Sequence, residues 1–204
     1  IARTTSEARE IMTTAENAGV RLMIAENARF FPLVVKSKEL IAKGAIGDLR
    51  VVDIRFEDYD VDVVGWRNSM ARNGGGRFID GGVHLIDIMV NLAGFPENVY
   101  AATESPKVIP DHEGEDGIVM TARLPKGVTG LVHYSGGSPV SEPFYWVRIT
   151  GTTGVLSYEP RGSEMTLETR NGRKPIRVDP DRIGVRAMVR EFRDSLVEDR
   201  EPIM

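Results

Sequence analysis

Residues 73–94 read NGGGRFIDGGVHLIDIMVNLAG, a glycine-rich run followed by a periodic segment that predicts an amphipathic helix. At about 100° per residue, one stripe of that helix is polar. Its members are Asp80, His84, Asp87 and Asn91. The apolar face that we expect to be buried contains Leu85, Ile88, Met89 and Leu92. Gly81 and Gly82 lower helix propensity, so we expect them to permit close approach by backbone or ligand.

Asp80 and His84 are the pair with the clearest chemical meaning. A carboxylate four residues before an imidazole can orient the ring and raise its pKa toward neutrality, which suits a general acid or base. The same spacing also fits a helix cap at Asp80 with a structural histidine at His84, or part of a metal site. Because no further metal ligand is clearly placed, the sequence predicts no metal site.

The remaining glycine and histidine signals are weaker. The glycines of residues 74–82 do not have the spacing of a dinucleotide-binding loop. His112 stands among acidic residues, which is metal-like, but residues 110–117 read as a solvated loop. His133 lies in a strand pattern and is expected to be a packed or surface residue.

The N-terminal segment has a different pattern. Residues 5–18 predict a helix, and residues 20–25 predict a short buried strand. This order is typical of a parallel sheet, and one such unit cannot cover itself. We therefore expect its partner strands in a segment upstream of Ile1.

From residue 50 the chain alternates apolar and polar residues, which predicts a strand over residues 50–59. Further strands are predicted at 99–103, 118–124, 128–134, 145–150, 155–158 and 165–168. Turn residues at 125–127 and 151–154 favour antiparallel pairing. Helices are predicted after Pro32 and over residues 185–197, the latter with an apolar stripe that includes Val189 and Leu196. We therefore predict an α+β fold, a predominantly antiparallel open-faced sheet with helices on one face.

Composition excludes several classes of function. The chain has 26 Lys and Arg against 30 Asp and Glu, a net charge of −4, which argues against nucleic acid or an anionic membrane as partner. It has no cysteine, which excludes a thiolate metal site or cysteine nucleophile and fits a cytoplasmic protein. An open sheet face with side chains such as Val119, Leu131 and Tyr145 predicts a homo-oligomer.

Residues 74–87 resemble the GGGxxxDxGxHxxD signature of the Gfo/Idh/MocA family of NAD(P)-dependent oxidoreductases. Other segments resemble family motifs in the same order along nearly the whole chain. They are Arg29-Phe30-Phe31-Pro32, Lys43-Gly44-Ala45-Ile46-Gly47, Trp66-Arg67, Glu115-Asp116 and Thr150-Gly151-Thr152-Thr153-Gly154.

The resemblance implies a truncated two-domain enzyme. Residues 1–26 would be the last helix and strand of a dinucleotide-binding Rossmann domain. Residues 27–204 would be a substrate-binding and oligomerisation domain, truncated at its C-terminus. The family's catalytic lysine would lie just before Ile1. The chain by itself is then expected neither to bind NAD(P) tightly nor to oxidise a polyol.

The resemblance also implies roles for individual residues. Asp80 and His84 match the catalytic and substrate-binding pair, with His84 taking the hydroxyl proton. Arg29 matches a substrate-binding position, and Trp66 and Arg67 match cofactor-binding positions facing the cleft. The cofactor would be NAD or NADP.

The leading hypothesis is therefore a dehydrogenase that transfers a hydride between NAD(P) and a hydroxyl carbon of a sugar, inositol or related polyol. One alternative is a non-catalytic oligomerisation or ligand-sensing module of the same fold. Another is a hydrolase or lyase that uses Asp80 and His84 alone, which would turn over without nicotinamide.

Overall fold

A computed structural model describes residues 1–62, 64–179 and 183–203. The α-helices in this part of the chain are α1 (Thr5–Ala18), α2 (Pro32–Ala42), α3 (Met70–Asn73), α4 (Val83–Ala93) and α5 (Val185–Val197). The strands are β1 (Leu49–Glu57), β2 (Asn98–Thr103), β3 (Gly117–Arg123), β4 (Thr129–Ser135), β5 (Phe144–Gly151), β6 (Gly154–Tyr158), β7 (Glu164–Thr169) and β8 (Gly172–Arg177). None of the helices in the described residues has the length and hydropathy that a membrane span requires.

The strands form one sheet in the order β2-β3-β4-β1-β5-β6-β7-β8. Neighbouring strands are antiparallel except β1 and β4, which run parallel. The predicted α+β fold with a mostly antiparallel sheet is confirmed. A parallel pair requires a crossover connection, and here the chain between β1 and β4 includes α4. The crossover therefore carries the predicted functional helix onto the sheet.

The core lies between the sheet and the helices α2 and α4. The predicted apolar face of α4 is confirmed, because Leu85, Ile88, Met89 and Leu92 are its buried residues. They join one cluster with Leu33 and Val34 of α2 and with buried residues of the strands, including Val52, Ile54, Val132 and Val147. The polar stripe of α4 is left facing away from this core.

The entry to α4 lies unusually close to the sheet. Residues Phe78–Gly82 form a π-helical turn that leads directly into α4. A methyl group at Gly81 would fall 2.3 Å from the Tyr134 hydroxyl oxygen, and one at Gly82 would fall 2.1 Å from the Phe78 ring. Tyr134 is itself fixed by Phe56, whose ring stacks on it at 5.5 Å. Close approach does occur at both glycines, but aromatic side chains make it instead of the expected backbone or ligand.

Two segments near the ends of the chain differ from what their sequence patterns predict. Residues 20–25 form no strand in the described part of the chain, because a strand needs a hydrogen-bonded neighbour and none lies beside this segment there. The helix predicted over residues 185–197 is confirmed as α5, and Met188 of its apolar stripe is buried, but Val189 and Leu196 are 58% and 51% exposed. This helix packs on the short turn Ala28–Phe30, and Leu196 borders an open cleft instead of the core.

Two predictions about the sheet also need correction. Tyr145 lies on the helix side, buried and edge-on to Phe56 with ring centroids 5.4 Å apart. Its neighbours in β5, Phe144 and Trp146, lie on the open face instead, because side chains alternate between the two faces along a strand. Strand β8 was not predicted, since Lys174 and Pro175 disfavour strands. An edge position tolerates the proline, which lacks a backbone donor.

We expect Gly81→Ala to destabilise the protein. In a helix free of clashes this change would stabilise by up to about 1 kcal/mol, whereas overpacking a filled site costs about 1–3 kcal/mol. The new methyl group would meet both the Tyr134 hydroxyl oxygen and, at 2.8 Å, the ring carbon that bears it. Urea denaturation measures the effect.

Tyr134→Phe is the second substitution in this test, because it removes the hydroxyl oxygen that would lie closest to the new methyl group. The double variant should recover part of the lost stability relative to the two single variants. Ser6→Ala, at an exposed position of α1, is the control. A Gly81→Ala protein at least as stable as the original would contradict the close packing.

Candidate active site

An open cleft of about 1420 Å³ lies next to the start of α4. We call it the α1–α5 cleft, because its walls are α1, residues 19–26, the entry to α4 and the end of α5. Its polar lining includes Glu26, Asp80 and His84. The predicted pair therefore borders one cleft, together with a carboxylate that the sequence analysis did not identify.

His84 is held by Glu26, not by Asp80. The Nδ1 atom of His84 lies 2.7 and 2.8 Å from the two carboxylate oxygens of Glu26. The hydrogen bond to Glu26 is the main reason that the pKa of His84 is raised, and the charge of Glu26 adds to it while burial opposes it. The prediction that Asp80 orients this ring is therefore wrong.

Asp80 is held by arginines. Its Oδ2 accepts a hydrogen bond of 2.9 Å from Nη1 of Arg77, and its Oδ1 lies 3.5 Å from Nε of Arg67. The Arg77 side chain is only 5% exposed and also donates to Asp60 at 2.6 Å. The π-helical turn explains the difference from the prediction. Asp80 and His84 do not belong to one regular α-helix, so spacing by four residues does not bring their side chains together.

Backbone hydrogen bonds at the glycine run fix the chain just before the π-helical turn. The carboxylate of Glu115 accepts hydrogen bonds from the backbone N–H groups of Gly76 (3.0 Å) and Phe78 (3.1 Å), and its carbonyl accepts one from Arg77 (2.8 Å). A methyl group on Gly76 would lie 2.3 Å from both acceptor groups of Glu115. Glycine is thus needed for a backbone clamp rather than for a phosphate loop.

Arg29 forms a salt bridge within the protein. Its Nε donates to Oδ2 of Asp87 at 2.9 Å and its Nη2 to the other oxygen, and each side chain is 15% exposed. The sequence places Asp87 on the same polar stripe as His84. Both carboxylate oxygens of Asp87 accept hydrogen bonds from Arg29. The predicted substrate contact of Arg29 stays a prediction, but this guanidinium already has a partner.

Trp66 and Arg67 lie on the short turn Gly65–Asn68. The Trp66 ring is exposed, and the Arg67 guanidinium lies 5.8 Å from its centroid. Because Arg67 also reaches Asp80, the structure brings one of the two predicted cofactor-binding residues to the predicted catalytic pair. Their contact with a cofactor stays a prediction.

The other two histidines lie away from the cleft lining. His112 is buried, not solvated as the loop prediction implied. Its Nδ1 accepts a hydrogen bond from the backbone N–H of Gly114, and its carbonyl accepts one from Lys107. His133, as predicted, is a packed strand residue, and its Nε2 lies 2.6 Å from Glu104. Among the described residues, no group of three or more His, Cys, Asp or Glu is placed to hold a metal ion.

Glu26 is the residue that sequence analysis missed. Its position directly after the predicted strand 20–25 was a usable signal, because functional side chains often follow the carboxyl ends of buried strands. Spacing could not pair it with His84, however, since 58 residues separate the two.

Comparison with known proteins agrees with this architecture. Residues 34–157 match the family model described as the GFO/IDH/MocA C-terminal domain. The rhizopine catabolism protein MocA of Rhizobium meliloti is 32% identical over 153 residues, which are 74% of this chain and 47% of that protein. D-apiose dehydrogenase of Rhizobium rhizogenes (strain K84) is 31% identical over 160 residues, 76% of this chain and 45% of that enzyme.

A solved structure of levoglucosan dehydrogenase in complex with NADH shares the fold, with a TM-score of 0.86 and 20% sequence identity. The match covers 99% of this chain and 63% of that one. The chain thus spans about half the length of the curated relatives that it matches.

We expect Arg29 and Asp87 to act as one stabilising pair. Arg29→Gln and Asp87→Asn should each lower the free energy of unfolding, because each leaves a largely buried charge without its partner. The double variant should lose less than the sum of the two, with a coupling of about 0.5–3 kcal/mol. Thermal and urea denaturation of the four proteins give this coupling. Strictly additive losses would show that the pair contributes no mutual stabilisation.

Proposed function

The chain belongs to the GFO/IDH/MocA family, and we propose that the whole protein is an NAD(P)-dependent dehydrogenase. Its substrate would be a sugar, inositol or related polyol, oxidised at one hydroxyl carbon. The observation that carries the proposal is a partly exposed histidine, His84, that borders the same cleft as an arginine-anchored carboxylate, Asp80. The relatives named as D-apiose and levoglucosan dehydrogenases support a sugar-like substrate.

His84 would accept the proton of the reacting hydroxyl group. Oxidation of that carbon releases one proton and one hydride, and the proton needs an acceptor with a pKa close to the working pH. The raised pKa of His84 suits this task. Asp80, held in place by Arg77 and Arg67, would accept a hydrogen bond from a substrate hydroxyl and so orient the carbon.

The nicotinamide group, when bound, would supply the carbon that takes the hydride. The size of the α1–α5 cleft and its mixed polar and apolar lining fit such a ring beside the substrate. Trp66 and Arg67 would contact the cofactor. The choice between NAD and NADP depends on residues that follow the second strand of a dinucleotide-binding domain.

We further propose that residues 1–26 are part of a dinucleotide-binding domain and that residues 27–204 are part of the substrate-binding and oligomerisation domain. Helix α1 contains no buried residue, although Ile11 and Met12 line the cleft. An amphipathic helix with its apolar side uncovered needs further protein to pack against. The exposed sheet face, with Val119 and Phe144, is the proposed contact between subunits, and a cytoplasmic location fits the absence of cysteine.

We expect His84→Ala in the complete enzyme to lower turnover roughly 10²- to 10⁴-fold, the usual contribution of a general acid or base. Cofactor affinity should change little, and Asp80→Asn should lower turnover less. Steady-state kinetics with sugars and polyols, together with calorimetric titration of NAD and NADP, measure these effects.

Glu39→Ala serves as the control, since among the described residues Glu39 pairs only with Lys36 of α2 and with Lys43, which follows α2 directly. Unchanged turnover in His84→Ala would refute the assigned chemistry. Turnover without nicotinamide would favour a hydrolase or lyase, and a complete protein that binds sugar but oxidises none would favour the ligand-sensing alternative.

A further inference from the structure

We propose that Glu26 is the positioning residue of the site, fixing His84 with its proton on Nδ1 so that Nε2 faces the cleft as the proton acceptor. This role rests on the proposed function for its consequence in catalysis. The contact itself can be tested without any turnover.

The geometry makes Glu26 an anchored partner. Both of its carboxylate oxygens lie within 2.8 Å of Nδ1 of His84, and Oε1 also accepts a hydrogen bond of 2.8 Å from the backbone N–H of Ala28. The Glu26 side chain is 10% exposed, and Ala28 is buried. The carboxylate is therefore held by the protein backbone, and the imidazole ring takes its orientation from it.

The chemistry of the contact decides which ring nitrogen carries the proton. An ionised carboxylate can only accept a hydrogen bond, so Nδ1 of the neutral imidazole must be the donor. The lone pair of the neutral ring is then on Nε2. The His84 side chain is 42% exposed and borders the α1–α5 cleft, so a hydroxyl group bound there can reach this second nitrogen.

Among the charged groups near His84, Glu26 has the largest effect on the pKa of the ring. Besides Glu26, the charged groups that act on His84 are Asp87 on its own helix, which raises its pKa, and Arg161 on the turn between β6 and β7, which lowers it. Asp87 is paired with Arg29 and is the smallest of these influences. Removing the charge of Glu26 should therefore lower the pKa of His84, while removing that of a remote carboxylate should not.

A merely structural role for Glu26 makes a different prediction. Its hydrogen bond to Ala28 could anchor the segment before α2, in which case its loss would affect stability but not the titration of His84. The variant Glu26→Gln separates the two roles, because the amide oxygen can still accept from Ala28 while the negative charge is lost.

The first test follows the histidine rings by two-bond ¹H–¹⁵N NMR in ¹⁵N-histidine-labelled protein, with His84 assigned from the signal missing in His84→Gln. At high pH the His84 signal should show the proton on Nδ1. In Glu26→Gln its titration midpoint should move to lower pH, and the preference for Nδ1–H should weaken. Glu26→Asp keeps the charge on a shorter side chain and should recover part of the midpoint.

Glu104→Gln is the matched control, because Glu104 makes the same kind of contact with His133 at 2.6 Å, far from the cleft lining. It should change the signals of His133 and leave those of His84 unchanged. A His84 midpoint and tautomer that stay the same in a folded Glu26→Gln protein would overturn the proposal.

The second test uses the pH dependence of kcat/KM for polyol oxidation by the complete enzyme. Protonated His84 cannot accept a proton, so activity should fall on the acid side through the pKa of His84. In Glu26→Gln this acid limb should move to lower pH, in parallel with the NMR midpoint. The plateau of kcat should fall roughly 10- to 100-fold, the loss that is typical when a residue orienting a metal-binding histidine is replaced. KM should change little.

The two tests fail independently. If the NMR shift appears but no polyol is oxidised under any condition, the proposed function is wrong and the Glu26–His84 contact stands. If oxidation depends on His84 but neither the titration nor the acid limb responds to Glu26→Gln, the positioning role is wrong and the proposed function stands.

Discussion

The close packing of the entry to α4 against the sheet is the constraint on which the site depends. No side chain fits at Gly81, where the backbone meets Tyr134, or at Gly76, where it meets Glu115. The aromatic group around Tyr134 and the hydrogen bonds that Glu115 accepts from Gly76 and Phe78 fix this segment from both sides. Because α4 follows directly, its first turn has a defined position, and with it the side chain of His84.

Around that first turn, three carboxylates are each bonded to an arginine or histidine side chain. Asp80 is paired with Arg77, Asp87 with Arg29, and Glu26 with His84. This division separates tasks that one Asp–His pair would have to combine. A carboxylate fixed by arginines can receive a hydrogen bond from a ligand without moving, and an imidazole fixed at one nitrogen can exchange a proton at the other.

Within the described residues, the core is closed, whereas the α1–α5 cleft leaves apolar surface uncovered. The core between the sheet and the helices α2 and α4 is closed and apolar. Across the α1–α5 cleft, by contrast, α1 has no buried residue and Leu196 of α5 stays half exposed. Apolar surface of this kind is what a further domain would cover. The proposed dinucleotide-binding domain would lie where the exposed histidine needs its cofactor.

Sequence patterns were sufficient to predict most of the helices and strands, and the buried faces of β1 and α4. Alternation in residues 50–59 and the apolar spacing of Leu85, Ile88 and Met89 report directly which side of a strand or helix is buried. The glycine run and the polar residues that follow it also identified residues 73–94 as the segment that contains the candidate site. The contacts between side chains that are distant in the sequence followed from the fold alone. The π-helical turn separated Asp80 from His84, and the fold brought Glu26 to His84 across 58 residues. Such pairings depend on how distant segments pack in space, and periodicity along a chain records only the direction of each side chain relative to its own element.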